Sequence, residues 1–544
     1  MKKSIIYLPL IAAGFLATGC NDLDQLPNSN YVTTEQKQDA VAQNPELASA
    51  GVNALPQQLI SYQKIFENHI DFGLPSCILA LESRGQDMPA PNINYNWFSP
   101  CLTLEDFNGR YFMNLIHWYY NYYTIRSANA LLKQVPESEE PKLCYFRAQG
   151  FVFRAYCYFN LAQMYQFTYA KNPDAPCVPI LTDKNEDGAA TEGCPRGTVK
   201  EVYDQILSDL TEAIRLFELC ESKGVNRATA AESANIVKTF ANSTVAYGLR
   251  ARANLFKCDY AAALTDAEKA LTLADAEGLS PYSMAEASVP AFTTLQDHNF
   301  VWGCFNDPTQ AEFKGIANWA SHMTGFQTNG YAGAGAYRSI NKSLYESIPT
   351  TDVRKKWWLD GEGNPPSSLP EAYAKFIATG YAEVGNEPFP AYAQLKFGSY
   401  QNTPQTIGAV DLAWMRYEEL LLIQAEAQGM SDIARGSQLL EAFVKTYRNP
   451  SYSFKATSTE DFQNEIWMQR RVELWGEGFS YWDLMRYQKG IDRRGGGYSP
   501  ECCYLVSPSD PVMLLDIPEA EVQRNPLITS GTNGAVKPTP VEDI

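Results

Sequence analysis

The most constraining feature of this chain is a run of small and aromatic residues between Asn242 and Ala274. Tyr247, Ala251, Tyr260, Ala263, Ala267 and Ala270 follow one another at spacings of 4, 9, 3, 4 and 3. Steps of three and four put side chains on one face of a helix, and the longer step leaves room for a turn. Small residues on that face let two antiparallel helices approach closely. A second, looser copy runs from Trp414 to Val444. Two such pairs point to stacked helical hairpins and against a sheet protein. The spacing is that of tetratricopeptide (TPR) helix pairs, with Cys258-Asp259-Tyr260 standing where those repeats carry Gly-Asp-Tyr.

Other stretches agree with a helical class. Tyr111–Val135 reads as a helix with Phe112, Leu115, Tyr119, Tyr122 and Ala130 broadly on one side, and Leu143–Gln166 as another. Pro136 and Pro141 mark the connection. Thr198 and Glu201 form a T-x-x-E capping box before a stripe of Val199, Val202, Ile206, Ala213 and Phe217. Between the two hairpins, residues 279–406 are rich in Gly, Pro, Asn and Trp and lack sustained periodicity. An irregular segment of that length is usually functional.

The stretch Asp461–Tyr487 predicts a helix capped by Ser458 or Thr459, a corner at Gly476 and Gly478, and a second helix. Arg470 with Glu473, and Asp483 with Arg486, sit three apart and can pair. Glu477 and Asp483 have the makings of a glycosidic carboxylate pair. The interleaved guanidinium groups hold such carboxyls low, the wrong direction for a general acid, so a packed ion-paired corner is the better reading.

The first residues address the compartment. Lys2 and Lys3 precede an apolar run, Ile5 to Leu16, then Ala17-Thr18-Gly19-Cys20. This is the pattern of a secretory leader, too short for a stable span. The cysteine after small residues resembles a bacterial lipobox, which implies cleavage before Cys20 and its acylation. Several acyl chains give stable anchoring at about 0.8 kcal/mol per CH2 buried. Asp22 and Asp24 follow at once and resemble a surface-export signal.

Composition narrows the partners. The 544 residues are 45% hydrophobic and 19% charged, as in a globular protein, with a net charge of −18. That balance argues against nucleic acid, and an anionic polysaccharide would need a local basic patch that the sequence does not display. The twelve cysteines are scattered without a CxxC and do not read as a disulfide framework or a zinc site.

The segment RRVELWGEGFSYWDLMR, Arg470 to Arg486, resembles the C-terminal signature of the SusD/RagB family, the surface nutrient-binding lipoproteins of Bacteroidetes. RAQGFVFRAYCYFNLAQMY from Arg147, PCVPILT from Pro176, PRGTVKEVYDQILSDLTEAI from Pro195, RYEELLLIQAEA from Arg416 and DIPEAEVQRNPLI from Asp516 resemble further family segments in order. The resemblance implies a mainly α fold, a TPR-like helical scaffold with a large loop-rich insert. On it the chain divides into a leader at 1–19, a lipid-anchored tether at 20–45, helical parts at 46–278 and 407–544, and a ligand-binding insert at 279–406. The implied partners are a TonB-dependent (SusC-like) outer-membrane transporter, a glycan, and the outer membrane through the lipid anchor, with the chain facing the cell exterior. No cofactor is implied.

A sugar offers apolar C–H faces and a rim of hydroxyls, so its binding surface is an aromatic side chain in a loop with polar neighbours. Two regions fit: Arg84, Asp87, Asn94, Tyr95, Asn96 and Trp97; and Trp302, Asn306, Asp307, Trp319, Asn329 and Tyr331. Trp357-Trp358 is a further candidate. Asp183, Asn185 and Asp187 reproduce half of a calcium loop, but position twelve is Cys194, and a solvated acidic loop is favoured. His69, His117, His298 and His322 have no metal-ligand spacing, and no nucleophile or phosphate motif occurs. Catalysis is therefore not expected. The alternatives are capture of oligopeptides by the same architecture and an α-helical glycoside hydrolase or lyase.

Overall fold

The long helices bury apolar faces on their neighbours, and several of them begin at a side chain that caps the first turn. A computed structural model describes residues 32–93, 95–289, 292–327, 330–380, 388–398 and 408–544. The leader, Cys20, Asn94 and Asn329 lie outside the described residues.

The elements that position the site are α1 (Leu74–Arg84), α2 (Phe112–Gln134), α3 (Pro141–Tyr165), α4 (Val199–Ser222), α5 (Ser243–Phe256), α6 (Tyr260–Ala276), α7 (Tyr417–Gly429), α8 (Ile433–Tyr447), α9 (Thr459–Glu473) and α10 (Phe479–Arg486). From α2 to α8 each packs on the next, and α9 packs on both α7 and α8. The stack continues directly from α6 to α7 although 140 residues separate them in sequence. The intervening chain leaves the array and returns through an antiparallel strand pair, β1 (Phe300–Cys304) with β2 (Leu412–Arg416). Trp414 therefore lies on a strand ahead of the second helical hairpin and not on its first helix.

Local chemistry accounts for the helix starts. Thr198 and Glu201 form the reciprocal cap of α4, and the stripe Val199, Val202, Ile206, Ala213 and Phe217 is buried. Ser458 caps α9 by accepting from the Asp461 N–H. Gly436 of α8 lies so near α7 that an added Cβ would sit 2.3 Å from the Gly429 Cα. At the corner before α10, Gly478 adopts φ +90°, a left-handed conformation that costs other residues steric energy.

Two expectations are corrected. On α2 the face of Phe112, Leu115, Tyr119, Tyr122 and Ala130 is the less buried one; Met113, Ile116, Tyr120, Thr124 and Ala128 face the core. The helix is apolar nearly all round, so periodicity did not distinguish its sides. At the corner Arg470 pairs with Asp483 at 2.7 Å and not with Glu473, while Arg486 bridges Asp483 and Glu426. Glu473 points instead into a buried cluster, accepting from Arg448, Arg416 and Arg354. The eleven cysteines from Cys77 to Cys503 are free thiols, nine of them buried. Among the described residues no helix is long and apolar enough to cross a membrane.

Candidate functional site

A cavity of about 580 Å3 opens where the loop before α1, the loop around Trp97, the start of α2 and Tyr331 converge. Its position is set by buried polar anchors. Asp71 accepts from the Ile65 and Phe66 N–H groups at 2.7 and 2.6 Å and from the Tyr120 hydroxyl at 2.6 Å. These bonds fold residues 65–71 back on α2 and deliver Ile70 to the cavity wall. Asn96 accepts from the Phe98 N–H at 3.0 Å and from Arg338 at 3.1 Å. That second bond ties the Trp97 loop to the insert. Burial pushes the Arg338 guanidinium down to about 10, so it remains charged at neutral pH.

Rings line the opening. Trp97 is 37% exposed and Tyr95 70% exposed. Tyr95 takes φ +55°, an unusual conformation for a bulky residue, found where surrounding structure over-determines the backbone. Its ring lies 5.1 Å from that of Tyr331, and Trp97 lies 6.0 Å from His69. Behind them Phe72, His322 and Tyr331 form a stacked ladder with centroid separations of 5.4 and 4.6 Å. Burial pushes His322 down to about 3. It is therefore a neutral ring, and the His69 carbonyl 2.9 Å from Nε2 requires the proton on that nitrogen. The Tyr331 hydroxyl is hydrogen-bonded to His69 Nδ1, and its buried ring backs the exposed Tyr95 ring at the cavity wall.

Polar groups are few. Arg110 lines the rim, but its guanidinium is held by Glu519 through two hydrogen bonds. The floor is Ile70, Pro100, Cys101 and Met113, and Tyr111 and Phe112 stand exposed at the edge. Such a surface grips flat apolar faces and supplies little to stabilise a developing charge.

The cavity brings together four of the residues singled out from sequence: Tyr95, Asn96, Trp97 and Tyr331. The others lie elsewhere. Trp302 is sealed in the core against Phe153 and Tyr156, its indole N–H donating to the Thr239 carbonyl at 3.0 Å. Trp319 is buried edge-on to Phe397. Trp357 and Trp358 are core, the former bonded to the Ala287 carbonyl. Arg84 is buried with Asp106, and Asp87 is buried accepting from Arg471 and Ser480. Asp307 accepts from the Thr309 and Gln310 N–H groups, a turn-capping role. None of these presents a ligand surface, because each side chain is already enclosed or bonded.

The calcium half-motif is likewise occupied. Asp183 pairs with Arg154 at 2.6 Å, Asn185 accepts from the Thr182 N–H, and Asp187 pairs with Lys133. Among the described residues no group of three metal-ligating side chains converges. Sequence reasoning missed Ile70, Tyr111, Phe112 and Met113. The adjacent Tyr111-Phe112 at the start of α2 was the available signal, hidden because an apolar helix start reads as core.

Glu477 and Asp483 do not form a catalytic pair. Burial favours the neutral Glu477 acid, yet Arg416 and Lys396 overcome it and hold the carboxyl below its usual range. Both carboxyls are enclosed, Asp483 by Arg470 and Arg486.

Comparison with known proteins places the chain among relatives of one family and fold. A family model described as "Starch-binding associating with outer membrane" matches residues 79–255, and one described as "SusD family" matches residues 342–534. A SusD-like protein of Formosa agariphila is 22% identical over 411 residues, covering 70% of this chain and 73% of the relative. A SusD-like carbohydrate binding protein from Bacteroides vulgatus superposes with a TM-score of 0.70 at 22% identity, covering 89% of this chain and 97% of that one. A SusD superfamily protein from Bacteroides thetaiotaomicron gives 0.69 at 20% identity, over 90% and 99% of the two chains. A laminarin-binding SusD-like protein gives 0.61 at 18% identity, over 90% and 99%.

Proposed function

This chain belongs to the SusD/RagB family, and on that premise we propose that it captures a neutral oligosaccharide in the cavity at Trp97 and passes it to a TonB-dependent outer-membrane transporter without cleaving it. The observation that carries the reading is the pair of solvent-facing rings, Trp97 and Tyr95, over a cavity of about 580 Å3 whose one lining cation among the described residues, Arg110, is already engaged by Glu519. Ring faces stack on sugar C–H surfaces at low ordering cost. The absence of a free charge from the described lining favours an uncharged ligand. A laminarin-binding protein of the same fold supports a neutral glucan as the first probe.

Delivery follows from anchoring. Acylation at Cys20 would hold the protein at the outer membrane, where release beside a transporter needs no covalent step. The apolar floor of Ile70, Pro100 and Met113 also suits a hydrophobic peptide side chain, which makes oligopeptides the second reading. Calorimetry of the purified protein with a panel of neutral oligosaccharides and oligopeptides tests both. Glycan binding that weakens in Trp97→Ala, with no shortened products after prolonged incubation, is the expected result. Peptide binding without glycan binding would replace the reading, and product formation would end it.

A further inference from the structure

A second cavity, about 560 Å3, lies along the more exposed face of α2, across from residues 179–194, which include the short helix Glu186–Glu192, and the segment 521–526. One wall is aromatic. Tyr119 and Tyr123 are one helical turn apart and stacked, with centroids 6.0 Å apart and planes at 26°. Tyr122 is fixed beside them by donating to the Pro179 carbonyl at 2.7 Å. The Tyr119 and Tyr123 hydroxyls make no hydrogen bond among the described residues.

Two guanidinium groups flank this wall. Arg126 follows on the same face of α2, and Arg524 reaches it from the far end of the chain. Both arginines are exposed, and neither makes an ion pair or hydrogen bond through its side chain among the described residues. The lining acids differ. Glu186 and Asp187 are engaged by Lys133 at 2.8 and 2.9 Å, and Glu521 accepts from Asn525 at 2.9 Å. The facing rim is locked in place: Asn525 accepts from the Cys194 N–H at 3.2 Å and donates to the Cys194 carbonyl at 2.8 Å. So the groove is pre-formed: Lys133 offsets one of its acids and Glu521 keeps its charge, while Arg126 and Arg524 are guanidinium groups without a partner among the described residues.

We propose that this groove binds an acidic sugar, a ring carrying a carboxylate or sulfate group that stacks on Tyr119 and Tyr123 while Arg126 and Arg524 take the anion. A guanidinium matches the paired oxygens of either group by two parallel hydrogen bonds. The net charge of −18 does not prevent this, because exposed charges beyond roughly 8 Å are screened at physiological ionic strength. The basic patch absent from the sequence is made by residues 398 positions apart, so only folding assembles it.

Calorimetry with oligogalacturonate and with a sulfated galactan oligosaccharide, at low and physiological salt, tests the site on the whole mature protein and separates the carboxylate and sulfate arms. Binding to at least one probe is expected, weakening with salt, with a loss of about 10-fold in Arg126→Gln and in Arg524→Gln, since one such contact is worth about a factor of ten. Tyr123→Ala is expected to weaken it as well, and Trp97→Ala to leave it unchanged. No binding of either probe, or affinity indifferent to both arginine substitutions, overturns the proposal. Loss of acidic-probe binding in Trp97→Ala also overturns it, by placing the ligand in the first cavity. Neutral-glycan binding at Trp97 is read separately, so either site can fail alone.

Discussion

Arg448 donates to both carboxylate oxygens of Glu473, at 2.8 and 2.9 Å, in a part of the core where neither side chain is exposed. Arg416 and Arg354 point at the same carboxylate, and Arg448 reaches on to Glu418 at 3.0 Å. The cluster joins α7, α9, the end of α8 and β2, where the chain re-enters the array. Its charges satisfy one another, so the arrangement holds only while all are present.

Glu473→Gln removes the charge at the centre of this cluster and leaves buried guanidinium groups uncompensated. A loss of about 3–5 kcal/mol is expected, measured by urea unfolding. Burial raises the Glu473 acid, but Arg448, Arg416 and Arg354 outweigh it and hold it well below the usual range. A depressed folded value contributes stability above the unfolded value near 4.5, lost as pH falls through the folded one. The wild type should therefore lose this contribution in acid, and Glu473→Gln should show a shallower acid decline.

Glu82 has the opposite sign. Burial, with the nearby Asp87 charge, pushes its carboxyl up to about 8, although the Gly478 N–H donates to it at 2.7 Å. The folded state then binds a proton that the unfolded state has lost, so stability falls from about pH 4.5 to about 8. Glu82→Gln keeps the acceptor and removes the titration. Thermal melts should show the variant gaining on the wild type as pH rises from about 4.5 to about 8, by roughly 4 kcal/mol. An unchanged difference across that range would show that Glu82 ionises normally.

Gly436→Ala places a methyl group against Gly429 of the facing helix, inside any allowed contact distance. Better helix propensity favours alanine by about 1 kcal/mol, but separating two packed helices costs about 1–3 kcal/mol. Backbone-to-backbone overlap leaves no flexible side chain to yield, so net destabilisation is expected in chemical denaturation.

Trp97→Ala and Trp302→Ala separate surface from core. Removing the exposed Trp97 ring should weaken glycan binding by about 10- to 100-fold with little change in melting temperature. Removing the sealed Trp302 ring should cost about 3–5 kcal/mol of stability, while the folded fraction keeps its affinity. Calorimetry and melting curves on both variants check the pair.

The four tryptophans misassigned from sequence share one cause. Trp302, Trp319, Trp357 and Trp358 sit in an irregular segment rich in Gly, Pro and Asn, a composition that suggests exposed loops. Yet that segment closes over the array, and its large rings fill the space beneath, with Phe292 against Trp357 and Trp358 against Trp475. Trp97 has the same kind of neighbourhood in sequence, yet its loop is held outward by Asn96 and Arg338.

The helical hairpins, the Thr198 cap, the stripe of α4 and the glycine corner at Gly476 and Gly478 were written in the sequence, because each depends on contacts or backbone angles within a few residues. The convergence of Ile70, Trp97, Met113 and Tyr331, and of Arg126 with Arg524, was decided only by tertiary structure. Which face of an all-round apolar helix turns to water, and which distant segment lies across from it, depends on packing between elements that no local spacing encodes.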